Sequence, residues 1–385
     1  MAVFYVADCG YENKENIRQT SVSGTNKAKY LANLLNNTGI IWNSICVSIS
    51  KKGNHGWKTI YSRGDYGENV IIGPAIKYKS SIGKMIAKVF QRLWLLYFYV
   101  SGINSGDTVI EYHALYKLIP TFILCKLKKV TLILELEEVF GVVSPDMDFL
   151  KKWFELKVIQ LADGYIVPNP TLYDYVNDKT KPYCVIEGRI TPEKQVAEPA
   201  NDGKIHLIYA GIINPDKGAG MILDIARYLD SNYIIHIIGY GEKDDIDRLV
   251  KDIESYNNDC VSSAAVVYDG LKTGTDYNIY LQKCHIGLCP QIVKDDYNNA
   301  SFPSKIASYL SNGLRVVATC SDAIENSRLR DLIVTAPYDP ESIADAITKI
   351  DLHKALPINE TLLSLKQKQE RDINDLIRNV SERKN

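Results

Sequence analysis

The sequence lacks the features that mark several specialised classes of protein. Its eight cysteines are scattered, without a Cys-x-x-Cys pair or a histidine at zinc-ligand spacing, so neither a disulfide framework nor a metal site is expected. Its 45 basic and 46 acidic residues give a formal charge of −1, which excludes the strongly basic field typical of nucleic-acid-binding proteins. The sequence also contains no internal repeat and no low-complexity tract. What remains is an ordinary globular chain.

The first residues lack the pattern of a secretory signal. Residues 1–8 have neither a basic start nor a long apolar run, and they are typical of a buried strand instead. We therefore expect a cytoplasmic protein, either free or peripheral at the inner face of the cell membrane.

Short apolar runs typical of β-strands alternate with helical patterns along the whole chain. This alternation predicts parallel sheets joined by crossover helices. A polar, turn-forming stretch at 192–203 interrupts it and predicts a linker. We expect two tandem Rossmann-like, doubly wound α/β domains facing a cleft, the first over 1–195 and the second over 203–350. The predicted strands are 3–7, 42–49, 108–112, 130–136 and 165–167 in the first domain, and 205–209, 233–238, 265–268, 286–288 and 315–318 in the second.

Segments that follow predicted strands of the second domain carry binding signals. After the first strand, Gly211 precedes Lys217 at a predicted helix start, where a lysine opposes the helix dipole unless an anion lies between them. That position indicates phosphate binding, and a solvated surface lysine is the alternative. After the second strand, Gly239-Tyr240-Gly241 indicates either a close approach of the backbone to a ligand or a tight turn.

A third segment predicts a short helix that begins beside a lysine. Pro303 is expected at the first helical position, shortly after Ser301, and Gly313 just past the end of the helix. The free N–H groups of such a helix start lie next to Ser304 and Lys305. This pattern predicts a diphosphate site.

The three segments resemble the second domain of GT-B glycosyltransferases of the family 4, or group 1, type, and the resemblance covers about residues 203–345. In the first half, the segments Ser23-Gly24-Thr25 and Glu111-Tyr112-His113 are similar to the family's first domain. The resemblance implies a nucleotide-sugar donor held mainly by the second domain and an acceptor held mainly by the first. We also expect a C-terminal helix at about 362–385 to pack back on the first domain.

The sequence departs from the family pattern in two respects. Ile212 stands where the family commonly has an arginine, and Ala300 and Ser308 stand where it has a pair of glutamates. The third segment resembles the subgroup with a Pro-x-Lys helix, in which Lys305 is the natural second cation beside Lys217. The expected donor-binding residues are Gly24, Gly211, Lys217, Gly239, Tyr240, Gly241, Ser301, Pro303, Ser304 and Lys305.

Sugar transfer requires that the negative charge developing on the leaving nucleoside diphosphate be stabilised. Lysines and helix N-termini can supply this, so no cofactor or metal ion is expected. A retaining enzyme, which the resemblance implies, needs no deprotonating residue, whereas an inverting enzyme needs a carboxylate or histidine near the acceptor. His113 and Glu138 are the expected catalytic residues, with Glu137 as a further candidate. The alternatives are a structural histidine and a solvated acidic pair at a helix start.

The stretch 77–106 contains no acidic residue. Within it, Lys84, Lys88 and Arg92 accompany apolar residues at helical spacing, which predicts a basic amphipathic helix. Its apolar stripe either contacts an anionic membrane surface, where a lipid-linked acceptor would lie, or packs on the sheet while the cations face water.

The sequence thus predicts a hexosyltransferase-like enzyme. It would move a sugar from a nucleotide-diphosphate donor, expected to be a UDP-sugar, to a glycan, glycolipid or glycoprotein acceptor in bacterial polysaccharide or glycoconjugate assembly. The competing interpretation is a catalytically silent GT-B subunit that binds glycan or a partner glycosyltransferase, because the family's arginine and paired glutamates are missing. A GT-B sugar-nucleotide epimerase is a third alternative, and the paired acids and histidine that it needs are not evident.

Overall fold

The computed structural model describes residues 2–10, 20, 22–36, 40–50, 58–144, 146–214, 218–292 and 302–383. The chain divides into two units. The first comprises Met1–Arg189 together with Gln367–Asn385, and the second comprises Ile190–Lys366. Each unit is built on a largely parallel sheet with helices, so the predicted α/β class with two parallel-sheet domains is confirmed.

The described part of the first unit contains an eight-stranded sheet. Its strand order is β3-β4-β2-β1-β5-β6-β7-β8, and the pairs are parallel except for antiparallel β3 and β4. The central strands are almost fully buried, as parallel strands covered on both faces must be. The strands are β1 (Ala2–Ala7), β2 (Ile41–Cys46), β3 (Ile60–Arg63), β4 (Asn69–Ile72), β5 (Thr108–Tyr112), β6 (Thr131–Glu135), β7 (Gly164–Val167) and β8 (Tyr183–Val185).

Two helices of the first unit, α2 and α5, begin at side chains that cap them. The Ser80 hydroxyl accepts a hydrogen bond from the Gly83 N–H before α2, and the Asp148 carboxylate accepts one from the Leu150 N–H before α5. The helices are α1 (Val22–Leu35), α2 (Ser81–Gly102), α3 (Leu118–Lys128), α4 (Phe140–Val143) and α5 (Phe149–Leu161). None of the helices that the structure describes is both long and apolar enough to cross a membrane.

The second unit contains a six-stranded parallel sheet in the part that is described. Its order is β11-β10-β9-β12-β13-β14, so the direction of strand addition reverses between β9 and β12. Open α/β sheets bind ligands outside the carboxyl ends of the strands at such a switch point. The strands are β9 (Ile205–Ile213), β10 (Tyr233–Gly241), β11 (Ala265–Tyr268), β12 (Ile286–Cys289), β13 (Arg315–Thr319) and β14 (Ile333–Ala336). The helices are α6 (Ile222–Arg227), α7 (Lys243–Asp259), α8 (Gly274–Lys283), α9 (Ser304–Ser311), α10 (Asp322–Glu325) and α11 (Pro340–Thr348).

A last helix, α12 (Ile358–Glu382), continues past the end of the second unit. From Gln367 onwards it belongs to the first unit, where the Gln369 amide donates to Glu187 (3.0 Å) and accepts from the Tyr30 hydroxyl (2.6 Å). Gly164 leaves room for this helix, because a Cβ there would lie 2.7 Å from Val380.

The sequence pattern locates the central strands to within a few residues and misses four others. β3, β4, β8 and β14, each three or four residues long, are not predicted, although β4 and β14 contain short apolar runs. β9 and β10 extend three or four residues beyond their predicted ends. That extension determines where the glycines of the candidate site lie.

Candidate active site

The loops that follow β9 and β12 touch each other at a glycine. Gly218 has φ +88°, and a Cβ at this position would lie 1.8 Å from the Pro290 carbonyl oxygen. Only glycine combines this conformation with such a close approach. The two loops therefore meet at the switch point of the sheet, where a ligand is expected.

Lys305 lies at the same edge of the sheet, in the first turn of α9. Its Nζ is 3.9 Å from the centre of the Tyr209 ring, a distance that gives a cation–π contact. A Cβ on Gly211 would lie 2.6 Å from Lys305 Cε, so the glycine leaves the space in which the lysine lies. The structure therefore brings together Gly211 and Lys305, two of the predicted donor-binding residues, and adds Tyr209.

The start of α9 differs by one residue from the prediction. Pro303 has ψ 108° and precedes the helix as its N-cap, so its expected place at the first helical position is wrong. Ser304 takes that position instead and is exposed. Gly313 has φ +83° just past the helix, as predicted.

A buried tyrosine that the sequence analysis did not consider fixes α9 to the sheet. The Tyr309 hydroxyl accepts a hydrogen bond from the Ala210 N–H (2.8 Å) and donates one to the Leu288 carbonyl (3.2 Å). Gly287 makes room for the ring, because a Cβ there would lie 2.4 Å from it. Tyr309 thus holds the lysine-bearing helix against both strands of the switch point.

The Gly239-Tyr240-Gly241 segment is the end of β10 and not a loop, which corrects the prediction. Gly239 pairs with Gly211, and Gly241 pairs with Ile213. With φ +150°, Gly239 approaches its partner so closely that a Cβ would lie 1.7 Å from the Gly211 carbonyl oxygen. The two glycines therefore allow β9 and β10 to pair closely, and Tyr240 between them is exposed.

Two predicted donor residues, Lys217 and Ser301, lie outside the described residues. Gly24 is buried in the first turn of α1 in the first unit. Beside it, the Thr25 hydroxyl accepts a hydrogen bond from the Gly10 N–H (2.8 Å), which ties the loop after β1 to the start of that helix. Among the described residues, no group of three or more His, Cys, Asp or Glu side chains is arranged to hold a metal ion.

His113 follows β5 and is only 2% exposed. Its Nε2 lies 2.8 Å from Glu155 Oε1, and its ring contacts the Phe140 ring at 5.4 Å. The Glu155 carboxylate also accepts hydrogen bonds from the N–H groups of Phe140 and Gly141 (2.8 Å each). His113 is thus held by a carboxylate on α5, whereas Glu138, between β6 and α4, is partly exposed.

A buried acid–base cluster in the first unit was not predicted. Glu135, the last residue of β6, accepts a hydrogen bond from the Tyr5 hydroxyl (2.5 Å), and Lys27 lies 3.5 Å from it and 2.7 Å from Glu137. Burial raises the pKa of Glu135 to about 7, although Lys27 partly opposes this rise. Burial acts to lower the pKa of Lys27, but Glu137 and Glu135 hold it above its usual value. The only sequence signal was an acid inside an apolar strand.

Lys84, Lys88 and Arg92 are exposed on α2, as predicted. The buried face of this helix consists of Ala87, Gln91, Leu95 and Tyr99. The predicted apolar stripe is a different face, and Ile82 is 69% exposed. The alternative that this stripe packs on the sheet is therefore wrong.

Comparisons with known proteins agree with this architecture. Residues 204–351 match the family described as Glycosyl transferases group 1. No curated protein sequence matches the chain.

Solved structures of low sequence identity have the same fold along the whole chain. An α,α-trehalose-phosphate synthase (UDP-forming) from Burkholderia xenovorans in complex with glucose-6-phosphate has a TM-score of 0.73 at 10% identity, covering 98% of this chain and 99% of that one. A sucrose-phosphate synthase from Thermosynechococcus elongatus has a TM-score of 0.67 at 12% identity, covering 100% and 97%. Anabaena HepE in complex with UDP has a TM-score of 0.62 at 11% identity, covering 99% of each chain. Residues 204–351 are thus similar to the group 1 glycosyltransferases, and the chain as a whole has the two-domain fold of these solved structures.

Proposed function

We propose that this chain transfers a sugar from a UDP-sugar to a glycan, glycolipid or glycoprotein acceptor in bacterial polysaccharide or glycoconjugate assembly. The donor binds in the domain at 203–350 and the acceptor in the domain at 1–195. The position of Lys305 is the observation that supports this donor site. Lys305 lies in the first turn of α9, beside Gly211, at the switch point of the second sheet.

The leaving nucleoside diphosphate gains negative charge as the bond to the sugar breaks. Lys305 and the N-terminal end of α9 supply positive charge at one place, and Lys217, which follows β9 in the sequence, adds a second cation. Charge-assisted hydrogen bonds of this kind are about twice as strong as neutral ones. The chain's own residues thus supply what a metal-independent transfer needs.

The surroundings of His113 support a retaining reaction. An inverting enzyme needs an accessible base near the acceptor hydroxyl. His113 is buried and bonded to Glu155, which suits a structural role better than proton abstraction from a bound acceptor. Glu138, which is partly exposed, remains the proposed catalytic carboxylate of the first domain, and in a retaining reaction its role is to contact the acceptor without removing a proton from it.

Two of the structures with the same fold support uridine as the base. The Burkholderia xenovorans enzyme is UDP-forming, and Anabaena HepE was solved with UDP. The exposed cations of α2 support a location in the cytoplasm at the inner face of the membrane, where a lipid-linked acceptor lies.

A specific contact favours the second candidate, a catalytically silent GT-B subunit. Ser308 stands where the family has its second glutamate, and its hydroxyl lies 3.0 Å from the Tyr277 hydroxyl on α8. This contact joins two helices of the second unit and leaves no carboxylate at the position.

Release of nucleoside diphosphate from UDP-, GDP- and dTDP-sugars without acceptor separates the two functions. An enzyme hydrolyses its donor slowly, so UDP should accumulate with at least one UDP-sugar. A chain that binds UDP but forms no nucleoside diphosphate from any of these donors would be the silent subunit.

A further inference from the structure

We propose that α2, α3 and α5 together form one face that docks on an anionic phospholipid bilayer. We call it the three-helix face. This inference rests on the proposed function, because a lipid-linked acceptor is what would bring the enzyme to a bilayer.

Helix α2 presents an exposed apolar side to solvent. Its buried residues recur at every fourth position from Ala87 to Tyr99, which accounts for only one side of the helix. Ile82 is 69% and Met85 is 60% exposed on another side. The exposed apolar residues of α2 are Ile82, Met85, Ile86, Val89, Leu93, Tyr97 and Val100.

The two neighbouring helices extend this surface. α3 contacts both α2 and α5, and the rings of Phe122 on α3 and Phe154 on α5 lie 5.5 Å apart. Leu127 on α3 is 65% exposed and Phe149 on α5 is 76% exposed. The other exposed apolar residues of these helices are Ile119, Leu150, Trp153 and Leu156. An apolar surface of this extent marks an interaction site.

The charge of the three-helix face indicates an anionic partner. The three helices carry eight lysines and arginines and a single acid, Glu155, which is buried against His113. Six of the basic residues are exposed, namely Lys84, Lys88, Arg92, Lys126, Lys151 and Lys157, whereas Lys128, which donates to the Ile103 carbonyl, and Lys152 are half-buried. Exposed cations beside exposed apolar and aromatic side chains are the pattern of a surface that lies at the lipid headgroups.

The same charge argues against a second copy of this chain as the occupant. A symmetric dimer through this face would place two sets of cations opposite each other, and like charges across an interface are repulsive. A bilayer containing phosphatidylglycerol instead supplies negative headgroups for the cations and a hydrocarbon boundary for residues such as Trp153 and Phe149.

The test is co-sedimentation with vesicles of phosphatidylcholine and phosphatidylglycerol in equal parts, and with vesicles of phosphatidylcholine alone. Two double variants probe the face: Lys84→Glu with Lys88→Glu, and Phe149→Ser with Trp153→Ser. The matched controls lie on the second unit, where Lys243 and Lys251 on α7 are exposed and Val261 is an exposed apolar residue. They are Lys243→Glu with Lys251→Glu, and Val261→Ser.

We expect the native chain and the controls to bind the anionic vesicles, more weakly as salt rises, because exposed charges are screened. Each cation near an anionic surface contributes about five-fold in affinity. The charge variant should therefore lose at least about 25-fold, and the Phe149 and Trp153 variant should lose binding at every salt concentration. Circular dichroism and thermal melting confirm that each variant is folded.

Three results would overturn the proposal. They are no binding of the native chain to anionic vesicles, equal binding of the face variants and their controls, or a solution dimer that the Phe149 and Trp153 variant dissociates. UDP affinity, measured for every variant without vesicles, reports on the proposed function separately. Loss of vesicle binding with full UDP affinity supports both proposals, whereas vesicle binding without any UDP binding contradicts the proposed function alone.

Discussion

The ammonium group of Lys305 lies 3.9 Å from the centre of the Tyr209 ring, and the two residues come from elements far apart in the sequence. The ring of a β9 residue thus fixes the cation of an α9 residue, and Gly211 leaves the space for its side chain. Burial raises the pKa of the nearby Cys289 thiol, and Lys305 partly offsets that rise. The fold itself therefore holds in place the positive charge that we propose for the departing diphosphate.

Replacement of Lys305 should weaken UDP binding strongly. Lys305→Ala removes a charged hydrogen-bond donor, which is worth about 1.5–3 kcal/mol, so the affinity should fall by about ten-fold to 150-fold. Calorimetric titration with UDP measures this. Lys283→Ala, at an exposed lysine on α8 of the same unit, is the control and should bind UDP like the native chain. Equal affinities for the two variants would remove Lys305 from the site.

The Tyr309 hydroxyl should contribute measurably to stability. Tyr309→Phe leaves the buried Ala210 N–H and Leu288 carbonyl without this partner, which should cost about 1–3 kcal/mol in the free energy of unfolding. Urea denaturation gives the value. Tyr228→Phe, at an exposed tyrosine of the same unit, should change stability by less than about 0.5 kcal/mol. Similar stabilities of both variants would show that the hydroxyl does not hold α9 to the sheet.

A side chain at Gly239 should destabilise the chain for two reasons, the positive φ of this residue and a clash with β9, and a pair of variants separates them. Gly203→Ala introduces a Cβ at φ +82° with no atom within 4 Å. The free energy of unfolding should therefore fall only by the cost of this backbone conformation, about 1–2 kcal/mol. Gly239→Ala adds a clash with the Gly211 carbonyl oxygen and should lose about 1–3 kcal/mol more. Urea denaturation compares the two variants. A Gly239 variant as stable as the Gly203 variant would mean that β9 and β10 can separate without cost.

Glu135 should give the first unit a specific pH dependence. Its pKa is raised by burial to about 7, so the folded chain keeps this proton while the unfolded chain loses it near pH 4.5. Its contribution to the free energy of unfolding is full below about pH 4.5 and falls as the pH rises to about 7. Above that pH the contribution no longer changes. A pKa shift of this size corresponds to a loss of about 3 kcal/mol in the free energy of unfolding.

Glu135→Gln removes the titrating group and keeps the shape of the side chain. We expect stability to fall more between pH 5 and pH 7.5 in the native chain than in this variant, as measured by urea denaturation at both pH values. Parallel pH profiles would mean that the carboxyl is ionised in the folded state throughout this range.

The sequence predicted those features that depend on local pattern. The central strands are apolar runs of the right length, and Lys305 could be located because a proline and a glycine bracket its helix. The pairing of Gly239 with Gly211 could not be predicted, since it depends on the register of two strands about thirty residues apart. Tyr309 looked like any helical aromatic, because its hydrogen-bond partners lie on other elements.

The outward face of α2 was equally hidden from the sequence. Both Leu95 and Leu93 are apolar, yet the first is buried and the second exposed. A helix that is apolar on two sides gives no periodic signal for which side meets the sheet. Only the contacts with the rest of the first unit decide it.

The proposed function requires that a UDP-sugar be cleaved at the site formed around Lys305. The most direct measurement is the rate of UDP release from a panel of UDP-sugars by the native chain and by Lys305→Ala. We expect UDP release from at least one UDP-sugar by the native chain and a rate at least ten-fold lower for the folded variant. No release from any UDP-sugar, or equal rates for the two proteins, would contradict this proposal.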